Sequence, residues 1–179
     1  GFLALKTPQY TASAELLIEP QGLQIVGNDI LARDNGDALQ RLAVDSQTYV
    51  ILSQAVLEDV VERLDLTDDP AITKLPGGGL LSRLLGEDAP AATEEDIRAA
   101  AIAGLKDRLQ AVRVEKAFVI NIFMRHPDRF AAAAIANEAA RAYLDEARRS
   151  RADATLRASV ALQEQAADLK TRVEAAEAE

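Results

Sequence analysis

Few side chains in this sequence could carry chemistry, and their spacing limits what each can do. One histidine, His126, stands directly before Pro127, where an imidazole can accept a proton, donate one or ligate a metal. The chain has no second histidine and no cysteine, so an H-E-x-x-H zinc site and a thiol nucleophile cannot be assembled, and no Ser/His/Asp set is assembled convincingly around the one histidine. His126 reads as a residue of a strand-to-helix junction. Glycines 77 to 79 suggest a phosphate cradle, but no Lys-Ser or Lys-Thr follows them and no strand precedes them, so they read as a connection. Asp65, Asp68 and Asp69 carry the atoms that calcium prefers, yet a solvated helix end running into Pro70 accounts for them as well. Arg148, Arg149 and Arg151 would suit an anionic polymer, but they read as a basic interruption of an apolar stripe. Among 29 acidic residues nothing singles out a catalytic pair. No catalytic, cofactor or metal site is expected, and the chain is not read as an enzyme.

Composition sets the frame for these residues. Twenty basic against 29 acidic side chains give a net charge of -9, and a pI near 4.7 opposes binding to a run of phosphates. The 179 residues allow one domain with a modest core. Thirty-five of them are alanine, the best helix former and the smallest core side chain, which suits long helices better than a thick globule. No uncharged apolar run approaches the ~20 residues of a membrane-spanning helix, and no signal peptide is visible. The sequence begins without methionine at the apolar stretch Gly1 to Leu5 and reaches Glu179 inside a continuing pattern, so it is expected to be a piece of a longer protein.

The elements follow from periodicity. Tyr10, Ala12, Ala14, Leu16 and Ile18 alternate with polar residues, which predicts a half-buried strand ended by Pro20. Gly22 to Gly36 has no period and reads as a loop. From Asp37 to Leu64, a helical stripe of Leu39, Leu42, Tyr49, Leu52, Val56, Val60 and Leu64 is expected, broken near Asp45 and Ser46 because both cap helices well. Thr67 to Thr93, rich in Gly and Pro, reads as a long connection with a helical turn or two at Leu80 to Leu85. Thr93-Glu-Glu-Asp then opens a helix expected to reach about Gln110. Val112 to Met124 alternates as two strands, or as one strand bulged at Glu115 to Ala117.

The 52 residues from Asp128 to Glu179 contain neither glycine nor proline, and one helix is expected there, with Pro127 in its first turn. At ~1.5 Å per residue it would be on the order of 80 Å long, too long to pack wholly on its own domain. Its first half carries a broad stripe of Ala132, Ile135, Ala136, Ala139, Ala140, Tyr143 and Ala147. Its second half offers Leu162, Ala166, Leu169, Val173 and Ala176, spaced four, three, four, three, the narrow seam of a coiled coil, which needs a partner helix. The expected fold is α+β: a small mixed sheet with packed helices, a base domain over 1–147, and a long protruding C-terminal coiled-coil helix over 148–179, truncated at its end.

Four segments carry a resemblance. T-P-Q-Y-T-A-S-A-E-L-L-I-E-P, then S-Q-A-V-L-E-D-V-V-E-R-L-D-L, V-R-V-E-K-A-F-V-I-N-I and P-D-R-F-A-A-A-A-I-A-N-E-A-A-R-A-Y-L occur in the order seen in Wzz-type polysaccharide co-polymerases, the chain-length determinant family. Ala152, Thr155 and Leu156 ahead of the seam resemble the exopolysaccharide-export branch. The resemblance implies a non-catalytic, membrane-proximal periplasmic domain of an inner-membrane protein whose two membrane helices flank it, with Gly1 to Leu5 as the outer end of the first. It also implies a ring-like homo-oligomer that sets polysaccharide length, with a polysaccharide polymerase and an outer-membrane export channel as partners and no cofactor or nucleic acid. Some members carry a cytoplasmic tyrosine autokinase domain, which would make this segment a polymer-sensing ectodomain. A periplasmic adaptor of an export pump also pairs a small domain with a helical hairpin, but the glycine-punctuated β domain of that class has no counterpart here.

Overall fold

Residues 8–18, 32–73, 92–114 and 118–177 are described in the computed structural model, with the side chains of 32–41 and 175–177 left aside. The chain divides into two units, Gly1–Tyr143 and Leu144–Glu179.

In the first unit, alternation along one strand sets the core. Strand β3 (Val119–His126) buries Ile120, Ile122 and Met124 completely and turns Val119, Asn121 and Phe123 to the other face. It is the middle strand, antiparallel to β1 (Tyr10–Leu17) on one side and to β2 (Leu109–Arg113) on the other. Register places Ala14 opposite Ile122, Leu16 opposite Ile120 and Leu109 opposite Met124, so the buried side chains of all three strands share a face. Burying each large aliphatic contributes about 1.5–3 kcal/mol. The class is α+β as expected, with a small sheet whose three described strands are antiparallel neighbours, β2 and β3 being adjacent arms of a hairpin. Residues 115–117 lie outside the described residues.

Helix α1 (Ala32–Ile51) and helix α2 (Gln54–Arg63) correct the sequence reading at three points. Helix begins at Ala32, not after the expected loop end at Gly36, and residues 22–31 of that loop lie outside the described residues. The break falls at Leu52 and Ser53 instead of Asp45 and Ser46. The would-be capping groups are occupied elsewhere: within the helix Ser46 Oγ donates to the Ala43 carbonyl at 2.6 Å and Thr48 Oγ1 to the Asp45 carbonyl at 2.6 Å, while the Asp45 carboxylate accepts from Arg113 Nε of β2 at 2.6 Å. Finally, Leu42 and Tyr49, placed on the apolar stripe, are 64% and 78% exposed, while Val44 and Ile51 are buried. Two residues amount to about 200° around a helix, so the stripe in α1 lies on the opposite side from the one expected. In α2, Val56, Leu57, Val60 and Val61 are buried.

After α2 the chain turns at Asp65, whose φ of 50° is left-handed, into a 3-10 turn at Leu66–Asp68. The expected turns at Leu80 to Leu85 lie outside the described residues. Helix α3 (Glu94–Arg108) starts with a capping box: Thr93 Oγ1 accepts from the Asp96 N–H at 3.2 Å while the Thr93 N–H donates to Asp96 Oδ2 at 3.0 Å. Glu94, Glu95 and Asp96 in its first turn, with Lys106 and Arg108 in its last, match the macrodipole. It stops two residues short of Gln110, since Leu109 already has strand dihedrals.

Helix α4 (Arg129–Glu177) spans both units. Asp128 caps it, accepting from the N–H of Phe130 at 2.6 Å, so Pro127 lies just before the helix and not in its first turn. Up to Tyr143, Ala132, Ile135, Ala136, Ala139, Ala142 and Tyr143 are buried. Two polar links tie this part to distant segments: Tyr143 Oη donates to Gln47 Oε1 at 3.0 Å, and Arg63 Nη1 reaches buried Glu138 at 3.0 Å, whose other oxygen accepts from Arg141 at 3.1 Å. Among the described residues no helix is long and apolar enough to cross a membrane.

Gly104 in α3 lies against the backbone of Ile72, and a Cβ there would overlap the Ile72 carbonyl oxygen, with the carbonyl carbon 2.9 Å away. Gly104→Ala should therefore lower stability by about 1–3 kcal/mol in urea unfolding, even though alanine improves helix propensity by ~1 kcal/mol. Unchanged or increased stability would mean that the loop does not sit on the helix. The Thr93 hydrogen bonds hold the Asp96 carboxyl below its ordinary value. Their contribution is complete above the ordinary carboxylate range and disappears as pH falls through the lowered value in the folded chain. The thermal midpoint of Asp96→Asn should thus lie below that of the parent at neutral pH, and the gap should narrow as the pH falls below the ordinary carboxylate range; a gap that does not change with pH would contradict the cap.

Candidate assembly surface

The second unit is a single helical stretch, and its described side chains from 148 to 174 are all exposed. Helix propensity and local pairs sustain it. Arg148 meets Asp145 at 3.1 Å, Arg149 meets Glu146 at 3.5 Å and Lys170 meets Glu174 at 3.8 Å, while the Thr155 and Thr171 hydroxyls donate to carbonyls four residues back. The basic run is thus engaged, at Arg148 and Arg149, with acids one turn earlier on the same helix.

Leu162, Leu169 and Val173 are 65%, 50% and 55% exposed, and Ala166 is exposed between them. Ala176 is helical, with its side chain outside the description. Spacing of four and three brings these positions to one face, and covering a leucine or valine contributes about 1.5–3 kcal/mol per side chain. Leu156 and Val160 are exposed too, and neither belongs to the predicted seam. Val160 precedes Leu162 by two residues, about 200° away, so the helix carries apolar groups on two sides. Their own spacing of four was the signal for a second apolar line.

Of the other candidates of the sequence, His126 and Asp69 are joined in one network. His126 is buried, with both ring nitrogens engaged: Nδ1 lies 3.0 Å from the Asp128 N–H and Nε2 lies 3.0 Å from Asp69 Oδ2. If Nδ1 accepts, the ring proton sits on Nε2 and is donated to Asp69. The other Asp69 oxygen accepts from the Ala71 N–H at 2.8 Å. That network pins the loop after α2 to the end of β3. Among the described residues no three His, Asp or Glu side chains are arranged to hold a metal ion. Gly77 to Gly79 lie outside the described residues.

The class that the coordinates define is an α+β unit joined in sequence to a long helix with exposed apolar side chains. Comparison with known proteins narrows it. The chain is 30% identical, over 190 aligned residues, to the succinoglycan biosynthesis transport protein ExoP of Rhizobium meliloti (strain 1021), a match covering 98% of this chain and 24% of that protein. No family model and no solved structure matches the chain. The four segments in family order and a similarity that runs along nearly the whole chain support the Wzz-type polysaccharide co-polymerase family. It spans about a quarter of the length of that relative.

Because the seam is exposed within this chain, replacing Leu162, Leu169 and Val173 together by alanine should change its unfolding free energy by no more than about 0.5 kcal/mol per site. Equilibrium unfolding of the isolated chain checks this. A loss of several kcal/mol would show that the seam is already covered.

Proposed function

We propose that this chain is the non-catalytic periplasmic domain of an inner-membrane polysaccharide co-polymerase, which regulates the chain length and export of an exopolysaccharide through ring-like homo-oligomerisation. The observation that carries the reading is the exposed Leu162, Leu169 and Val173 face in a chain 30% identical over nearly its whole length to an exopolysaccharide transport protein. An apolar seam exposed to water gains about 1.5–3 kcal/mol for each large side chain that a partner helix covers. In this reading 1–147 is the membrane-proximal base that sets copies side by side, and 148–179 is the rod that pairs. The complex guides the growing polymer between a polysaccharide polymerase and an outer-membrane export channel without cutting it. Membrane anchoring supports such contacts by raising effective concentration, so the isolated domain is a weak associator.

The test uses the full-length protein in membranes. Replacing Leu162, Leu169 and Val173 by aspartate should reduce cross-linked multimers and shift the size distribution of the exported polymer, because carboxylates cannot be buried unpaired in a helix seam. A full-length protein that is strictly monomeric, with polymer length unchanged when the domain is deleted, overturns the reading.

A further inference from the structure

Between the N-terminal turns of α2 and α3 lies an open groove of about 560 Å³, within the range of about 300–1,000 Å³ of small-molecule sites. Gln54 and Glu58 line it from α2, and Glu94, Glu95 and Arg98 from α3, with Ala99 and Ile102 supplying an apolar part. Gln54 Nε2 donates to Glu58 Oε1 at 2.6 Å, which orients that pair. Glu94, Glu95 and Arg98 make no side-chain hydrogen bond or ion pair in the described structure, although all three line the same groove. The guanidinium has five donors and each carboxylate about four acceptor sites. Their hydrogen-bonding capacity is therefore available to a ligand.

The arrangement is not that of a cation cage, since no three acidic or histidine groups among the described residues are placed to hold a metal ion. It offers donors and acceptors at separate points beside a hydrocarbon surface. A pyranose has the matching pattern: hydroxyls that both donate and accept, and C–H faces that can lie on Ala99 and Ile102. Three carboxylates against one guanidinium leave the lining negative, which selects against an acidic polymer and for an uncharged stretch. We propose that the α2–α3 groove binds a short neutral segment of a glycan chain, with Arg98 as the principal donor and Glu94 and Glu95 as acceptors. The inference rests on the co-polymerase reading only for the presence of a glycan near the domain.

Titrating the isotope-labelled chain with cellohexaose, a neutral β-linked glucose hexamer, tests it by nuclear magnetic resonance. Saturable shifts at residues 54–58 and 94–102 are expected, and Arg98→Ala should weaken binding at least about fivefold with an unchanged circular dichroism spectrum. No shift, shifts centred elsewhere, unchanged affinity in Arg98→Ala, or the same shifts with calcium chloride alone each overturn the proposal. Absent binding together with an altered polymer length in the seam variant removes the groove and leaves the co-polymerase reading standing. Binding together with polymer length unaffected by domain deletion does the reverse.

Discussion

The constraint on which the first unit depends is that β3 must be paired along both edges and buried on one face. Ile120, Ile122 and Met124 have no water contact, and each lies opposite a residue of β1 or β2 that is also on the core side. A slip of one residue would send all three to the other face and bring Asn121 and Phe123 inward. Register here is therefore set by packing, and the positions of β1 and β2, separated by most of the unit in sequence, follow from it.

Around that strand a few polar links specify how remote segments meet. Arg113 on β2 holds Asp45 on α1, Arg63 on α2 holds Glu138 on α4, and His126 at the end of β3 holds Asp69 in the loop after α2. His126 and Glu138 are the most costly to leave unsatisfied, because both are buried. Each has partners for both of its polar atoms. The same residue types that invited thoughts of catalysis are those that a small domain uses to join its pieces.

Much of this was legible beforehand where a short-range rule acts alone. The alternation of β1 and β3, the Thr93 cap and the uninterrupted helix after Asp128 each depend on neighbours within a few residues. Helix α1 was misread because its phase is decided by tertiary contact: Leu42 and Tyr49 look like core, but Val44 and Ile51 take that place. Asp45 and Ser46 look like a helix start until Arg113, 68 residues away, occupies the carboxylate. The close approach of Ile72 to Gly104 has no local signature, as glycine in mid-helix announces only that something is near. For the seam, the heptad spacing was readable, and so was the spacing of four from Leu156 to Val160 on another side of the helix, where both side chains are exposed.

The topology of the sheet also orders events in time. Leu109 pairs with Met124, 15 positions on, whereas Tyr10 pairs with His126, 116 positions on. Closing the larger loop costs more chain entropy, so the hairpin forms first and waits as a template. On the ribosome β1 emerges before the other described strands and is the last of them to find its edge, and until then its backbone donors and acceptors are open to any other extended chain nearby. The hazard of mispairing thus falls on β1, the described strand that waits longest for its partner.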